Sequence, residues 1–329
     1  LMQNVNSMNY SLIGVVGGYL SINNRLSIGN LGAYVNMTRT QGKPINQISS
    51  QFTTLQSALA SAERIFELLD WPLEEINEDD LLISDIKGDV KFNDVTFSYV
   101  PNQKVLKNVS FYAKPGQKIA FVGSTGAGKT TITNLISRFY DIDSGEILVD
   151  DININKINRL SLRKNIAMVL QDTNLFTGTI MDNIRYGNLE ASDEECIEAA
   201  KLANAHYFIR HLEHGYDTII SGVGDELSEG QKQLLNISRA AVANPSILIL
   251  DEATSSIDTR TEKLVERGMD SIMQGRTTFV IAHRLSTVRN ADAIIVLEHG
   301  QIVERGSHDD LLAMNGRYAS LYHGQSELS

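Results

Sequence analysis

The sequence predicts a mixed α/β domain over residues 88–325 with an all-α hairpin in front of it. Three observations carry that expectation. The charge is split: 329 residues hold 29 Lys and Arg against 40 Asp and Glu, a net −11, yet residues 1–62 contain Arg25, Arg39, Lys43 and no carboxylate. That first stretch sums to +3 and the remainder to −14. Beyond Gly88, short apolar runs of strand type alternate with helical periodicity. A glycine-rich loop lies between one such run, Lys118-Ile119-Ala120-Phe121-Val122, and a helical run that starts near Lys129.

In chain order, residues 1–24 and 26–38 carry no charge and flank a polar turn, Ser21 to Arg25. A soluble domain has about a quarter of its residues charged, so a carboxylate-free stretch of this length is unusual. A membrane-spanning helix needs about 20 mostly apolar residues. Asn4, Asn6, Asn9, Asn30 and Asn36 interrupt both runs, while Gly14, Gly17, Gly18, Gly29, Gly32 and Ala33 resemble the small residues of closely packed membrane helices. The expectation is a helical hairpin in a membrane, with a soluble hairpin around a glycine-rich core as the alternative. Ile48, Phe52, Leu55, Leu59, Ala62, Ile65, Phe66 and Leu69 then recur at three- and four-residue spacing. This spacing predicts an amphipathic helix that continues the second run through Gly42 and Pro44 and stops at Asp70-Trp71-Pro72. Residues 1–70 are thus the expected end of a membrane domain with its helical extension. Residues 71–87, rich in Asp and Glu, are the expected exposed linker.

From Gly88 on, strands are predicted at 89–99, 105–113, 118–122, 146–149, 166–170, 246–250, 277–281, 293–297 and 301–304. Helices are predicted at 129–138, 193–203, 229–243 and 259–273. The early, closely spaced strands suggest an antiparallel layer, and the later alternation suggests a parallel sheet with crossovers.

Composition excludes several classes. A net charge of −11 opposes a protein that lives on phosphate-backbone contacts, so no nucleic-acid partner is expected. A hydrophobic content of 42% opposes disorder. The single cysteine, Cys196, excludes an internal disulfide framework and reads as an ordinary helix residue. No basic segment precedes an apolar core at the start, and residue 1 is Leu, so the chain reads as a fragment without a signal peptide.

Two segments carry chemistry. Gly123-Ser124-Thr125-Gly126-Ala127-Gly128-Lys129-Thr130 matches G-x-x-x-x-G-K-[ST] between a strand and a helix that continues through Thr131. That arrangement aims backbone N–H groups and a helix N-terminus at a phosphate. Lys129 is placed for the β- and γ-phosphates and the Thr130 hydroxyl for Mg²⁺. Ser246 to Leu250 reads as a buried strand that delivers Asp251 and Glu252 at its end. Asp251 is placed to hold Mg²⁺ and Glu252 to polarise an attacking water.

With these motifs in place, the order resembles the nucleotide-binding domain of the ATP-binding cassette (ABC) family. The segment Leu227-Ser228-Glu229-Gly230-Gln231-Lys232-Gln233 resembles the family signature. The resemblance implies ATP and Mg²⁺ as cofactors, and a phosphate-loop fold with an antiparallel β subdomain and a helical signature subdomain. It implies that Tyr99 stacks on adenine, and that Gln171 senses Mg²⁺ and the attacking water. It also implies that His283 contacts the γ-phosphate and that Ser255-Ser256-Ile257-Asp258 crosses a dimer interface. Ser228, Gly230 and Gln231 would close on the γ-phosphate bound to a partner domain, so ATP would act as glue between two domains. Ser57 to Phe66 resembles the helix joining the last membrane span to the nucleotide domain in exporters. The chain is therefore expected to be the motor half of a multi-pass cell-membrane exporter, with its nucleotide domain in the cytoplasm. The substrate class stays open among small molecules, lipids and peptides.

One departure is Glu229, where the family usually has Gly. Another is the loop before the signature, Ser221 to Glu226, which does not end in the usual further Gly. A carboxylate facing a partner's triphosphate is unfavourable. An intact catalytic Glu252 beside an altered signature resembles bacterial heterodimeric multidrug-type exporters. A heterodimer of two half-transporters is therefore favoured, with a homodimer as the alternative. A soluble ABC-class ATPase and a binding-only regulatory cassette are the remaining classes. The chain lacks the long heptads or basic surface of the first, and its Lys129, Asp251, Glu252 and His283 oppose the second.

Overall fold

The computed structural model describes residues 2–71, 74, 80–221, 226–251, 259–282 and 285–326. Two compact units are present, 1–75 and 76–329.

The first unit is a hairpin of α1 (Met2–Ile22) and α2 (Ile28–Leu69). The turn between them closes with Asn24 in the left-handed region and the Arg25 N–H donating to Leu20 O at 2.9 Å. Ser27 caps α2 by accepting from the Asn30 N–H at 3.2 Å. A Cβ on Gly17 would run into the Leu31 side chain, so glycine sets how closely the two helices approach. Helix α2 passes through Pro44 without a break, as the periodicity predicts, and ends at Asp70, whose N–H donates to Phe66 O at 2.8 Å. The apolar stripe Ile48, Phe52, Leu55, Leu59, Ile65, Phe66 and Leu69 is exposed along it. The hairpin thus forms as expected. However, among the described residues no helix is long and apolar enough to cross a membrane. The physical reason lies in the composition: asparagine, serine and glycine dilute α1, and Asn30, Asn36, Thr38 and Arg39 interrupt α2.

The second unit opens with β1 (Val90–Ser98) and β2 (Lys104–Ala113), then β3 (Lys118–Val122) and α3 (Lys129–Ile136). Next come β4 (Ser144–Val149), β5 (Ile152–Asn153), α4 (Arg159–Lys164) and β6 (Ile166–Val169). A helical portion follows with β7 (Gly178–Thr179), α5 (Ile180–Arg185), α6 (Asp193–Leu202), α7 (His206–Ile209), β8 (Ile219–Ile220) and α8 (Glu229–Val242). The chain then returns through β9 (Ile247–Asp251), α9 (Thr259–Met273), β10 (Thr277–Ile281), α10 (Leu285–Arg289), β11 (Ala293–Glu298) and β12 (Gln301–Gly306). It finishes with α11 (His308–Ala313) and α12 (Arg317–Ser326).

Among the described residues these strands form three sheets. The antiparallel layer has the order β2-β1-β4-β5, and the central sheet has the order β12-β11-β3-β10-β9-β6. The central strands are parallel except β12, which runs antiparallel to β11 at the edge. A two-residue pair, β7 with β8, stands apart. Aromatic packing ties the first two sheets together. Phe92 stacks on Phe111 at 4.5 Å, Phe111 meets Phe121 edge-on at 5.6 Å, and Phe121 stacks on Phe279 at 6.0 Å. On the other side of the central sheet, Leu234, Leu235 and Ile237 of α8 share a core with Val169, Leu248 and Leu250.

Residues 80–87, expected as part of an exposed linker, dock on this unit instead. The Leu81 N–H donates to Lys156 O and the Leu81 carbonyl accepts from the Asn158 N–H, both at 2.8 Å. Ile83 and Ile86 pack on the aromatic core. Ile83 and Ile86, three residues apart, are the anchors, while Leu81 and Leu82 stay exposed.

Candidate functional site

The C-terminal ends of the parallel strands bring the loop after β3, Asp251 and the segment after β6 to one edge. Phe121, Ile281 and Asp251 are in register across β3, β10 and β9, and Val169 of β6 pairs with Leu250. The loop after β3, Asp251, and the Leu170-Gln171 segment therefore leave the same side of the sheet, where ligands of open α/β sheets bind.

The loop is built by its glycines. Gly123 has φ +152 and a Cβ there would strike the Leu297 carbonyl. Gly128 has φ +106 and a Cβ would meet Leu106 Cδ2 at 2.7 Å. Between them Ser124, Thr125 and Gly126 are exposed, and Ala127 is buried, with its N–H donating to Ser124 O at 3.1 Å. Gly128 is also the N-cap of α3, so the first turn receives no side-chain cap. By contrast α5, α6, α8 and α11 each carry a capping box. The uncapped N–H groups of α3 suit this helix end to an anion.

Lys129 is 9% exposed and its ammonium donates back to Gly123 O at 2.7 Å and Ser124 O at 3.0 Å. Burial pulls its pKa below the usual lysine value, and the negative charge of Asp251 opposes that shift. A buried cation held on loop carbonyls, with a carboxylate within electrostatic reach, fits a phosphate and its metal ion. Thr130 is exposed at the start of α3, and Thr131 is buried. The Tyr99 hydroxyl donates to Thr131 Oγ1 at 3.2 Å, and Asn134 Nδ2 donates to the Tyr99 oxygen at 3.4 Å. The Tyr99 ring stands edge-on to Phe97 and Tyr140, at 4.8 and 5.0 Å, so it is fixed beside the loop.

Gln171 is exposed beyond β6. Its neighbours are fastened to α8, a feature that sequence spacing does not reveal: Thr173 Oγ1 donates to Gln233 Oε1 at 2.7 Å, and Asn236 Nδ2 donates to Leu170 O at 3.5 Å. The polar positions 233 and 236 in an otherwise apolar helix face were the available signal.

At the start of α8, Ser228 Oγ accepts from the Gln231 N–H at 3.3 Å, and Gln231 Oε1 accepts from the Ser228 N–H at 2.9 Å. The Ser228 hydroxyl acts as acceptor in this box, which leaves its proton for donation to an anion. Gly230 is buried, and the Glu229 carboxylate pairs with the Lys232 ammonium at 2.9 Å. Glu252, His283 and Asp258 lie outside the described residues. The strands that lead to the first two, β9 and β10, end at the site edge.

A glycine loop between strand and helix, with an acidic strand end two strands over, defines a phosphate-binding ATPase domain. Comparison with known proteins carries this further. Residues 106–255 match the ABC transporter family model. The chain is 47% identical, over 99% of its length, to an uncharacterized ABC transporter ATP-binding protein, YfiC, of Bacillus subtilis, and covers 54% of that protein. A fatty acid ABC transporter ATP-binding/permease protein of Mycobacterium bovis is 47% identical over 95% of this chain and 50% of its own length. An ATP-dependent lipid A-core flippase of Syntrophus aciditrophicus is 42% identical over 94% of this chain and 51% of its own length. Among solved structures, a bacterial Atm1-family ABC exporter with ATP bound superposes with a TM-score of 0.73 at 36% identity, over 98% of this chain and 58% of that one. Residues 106–255 thus match an ABC transporter domain, and over nearly its whole length the chain is similar to ABC transporter ATP-binding and permease proteins. It spans about half the length of the curated relatives it matches.

Proposed function

We propose that the chain supplies the ATP-hydrolysing motor of a membrane exporter and works as a pair with a second half-transporter. The observation that carries this reading is the uncapped glycine loop at residues 123–128, which follows β3 at the same end of the sheet where Asp251 closes β9. The loop from Gly123 to Thr131 holds the triphosphate, Lys129 neutralises it, and Tyr99 stacks on the adenine. Thr130, Gln171 and Asp251 would hold Mg²⁺, which when bound neutralises charge on the phosphate oxygens. Glu252 accepts the proton of the attacking water, Gln171 orients that water, and His283 holds the γ-phosphate. Ser228, Gly230 and Gln231 donate to the triphosphate on the partner, and Asp258 lies at the seam. ATP binding joins the two domains and hydrolysis releases them, which drives the membrane domain.

The hairpin of α1 and α2 belongs to a multi-pass domain in the cell membrane, where neighbouring helices would face its asparagines, and the ATPase unit faces the cytoplasm. The cargo is amphipathic, with lipid favoured over other small molecules and peptides because two relatives are named for fatty acid and lipid A-core. In the full-length protein, Glu252→Gln is expected to lower ATP turnover about 10²-fold or more while ATP binding and closure persist. Unchanged hydrolysis would remove Glu252 from its role. A second reading, a soluble ATPase of the same class, is favoured by one observation: no described helix is long and apolar enough to span a bilayer. Release of the full-length protein from membranes by alkaline carbonate, without detergent, would support it.

A further inference from the structure

Glu229 stands at the first position of α8, beside the Ser228 cap that would meet a partner's triphosphate. Alone, its carboxylate would repel that ligand. The structure gives it a fixed counter-cation. Lys232, one turn on, is 9% exposed, and its ammonium holds Glu229 Oε1 at 2.9 Å. This differs from an ordinary surface pair, because the cation's side chain is packed into the domain at 11% exposure while the carboxylate stays 58% exposed. Glu229 at the first position of the helix also suits the dipole. A largely buried lysine side chain gains from a carboxylate at its end, whereas the exposed Glu229 carboxylate would stay hydrated without it.

We propose that Lys232 is a positioning residue that neutralises Glu229 and holds its carboxylate in an ion pair beside the helix mouth. On this basis the signature helix is competent to close on the triphosphate of a second copy of this chain. The inference rests on the ATP-closure reading above. It removes the electrostatic ground on which Glu229 points to a different partner.

The test uses the full-length protein carrying Glu252→Gln, with ATP and Mg²⁺. Closed pairs are measured by light scattering and by distance between labels on the two ATPase units. The parent is expected to close on a second copy. Lys232→Met is expected to weaken closure about tenfold, through one uncompensated like charge, and the loss is expected to shrink as salt rises. Glu229→Gln together with Lys232→Met is expected to restore closure to within about twofold, because the two side chains are coupled. Lys232→Arg is expected to close like the parent. If the double variant is as impaired as Lys232→Met, Lys232 only packs, and the proposal is overturned. It is equally overturned if Lys232→Met closes normally. A parent that closes only with a different half-transporter overturns the second-copy claim but leaves ATP-driven closure standing. A parent that closes under no condition overturns the function reading itself.

Discussion

Lys129 shows how one side chain is prepared for its ligand. It is buried, it donates to the Gly123 and Ser124 carbonyls, and desolvation holds its pKa below the usual lysine value of 10.5 while Asp251 pulls it back up. The sign of the linkage follows. With a depressed pKa, the folded apo state binds fewer protons than the unfolded chain in the window just below 10.5, so Lys129 lets stability rise with pH there. A bound triphosphate favours the charged form and shifts the pKa upward. ATP binding in that alkaline window is therefore expected to take up protons. Calorimetry in two buffers of different ionisation enthalpy would read this, and Lys129→Arg should remove the uptake, since guanidinium stays charged. At this scale the sequence shows where Lys129 and Asp251 stand, because a glycine loop and an acidic strand end have little other use in that order. It does not show that Lys232 neutralises Glu229. Spacing of i and i+3 is common on any helix, and the burial that makes this pair matter arises only from tertiary packing.

Among the elements, α8 does the most positioning. Its N-terminus carries the capped Ser228, Gln233 and Asn236 hold the segment around Gln171, and Arg239 near its end donates to Asn183 O at 3.0 Å, Asn183 Oδ1 at 3.1 Å and Asn174 O at 3.0 Å. The Arg239 guanidinium also lies over Phe176 and Tyr186, at 5.3 and 5.4 Å from the ring centroids. The turn after α5 seats against the same stretch. A Cβ on Gly187 would collide with the Arg239 carbonyl and approach Val242 Cγ1 to 2.9 Å. Backbone cannot rotate aside as a side chain can. Gly187→Ala is therefore expected to destabilise the unit by about 1–3 kcal/mol, seen as a lower thermal midpoint. A midpoint equal to the parent's would show that the turn is free to shift. The parallel strands and α8 were legible in the sequence because long apolar runs and 3.6-residue periodicity persist whatever they pack on. The pair β7–β8 and the short α4, α5 and α7 were not, since two to six residues carry no measurable period.

For the whole molecule, the charge split and the exposed stripe on α2 point the same way. Residues 1–62 carry +3 and the remainder −14. Ile48, Phe52, Leu55, Leu59, Ile65, Phe66 and Leu69 line α2, each at least 54% exposed. Contiguous apolar surface of this extent marks a site that is covered in the assembled protein. The sequence shows the stripe by its spacing, but it does not show that the two helices fall short of a span on their own, because that depends on how far asparagine and glycine dilute each window. In the proposed exporter, membrane helices such as those in the part of the relatives that this chain does not match would supply the neighbours that cover these residues. The chain produced alone is therefore expected to self-associate or to hold detergent through α2. Replacing Phe52 and Leu59 with Lys should break that association, because a charge on each of two successive turns cannot be buried in an apolar contact. Nucleotide binding should be unaffected, since every residue of the loop from Gly123 to Thr131 and its partner Asp251 lies in the other unit. Sedimentation velocity with and without detergent, alongside titration with a fluorescent ATP analogue, separates the two properties. An association that persists in the double variant would place the sticky surface outside α2. A lost nucleotide affinity would show that the two units are not independent.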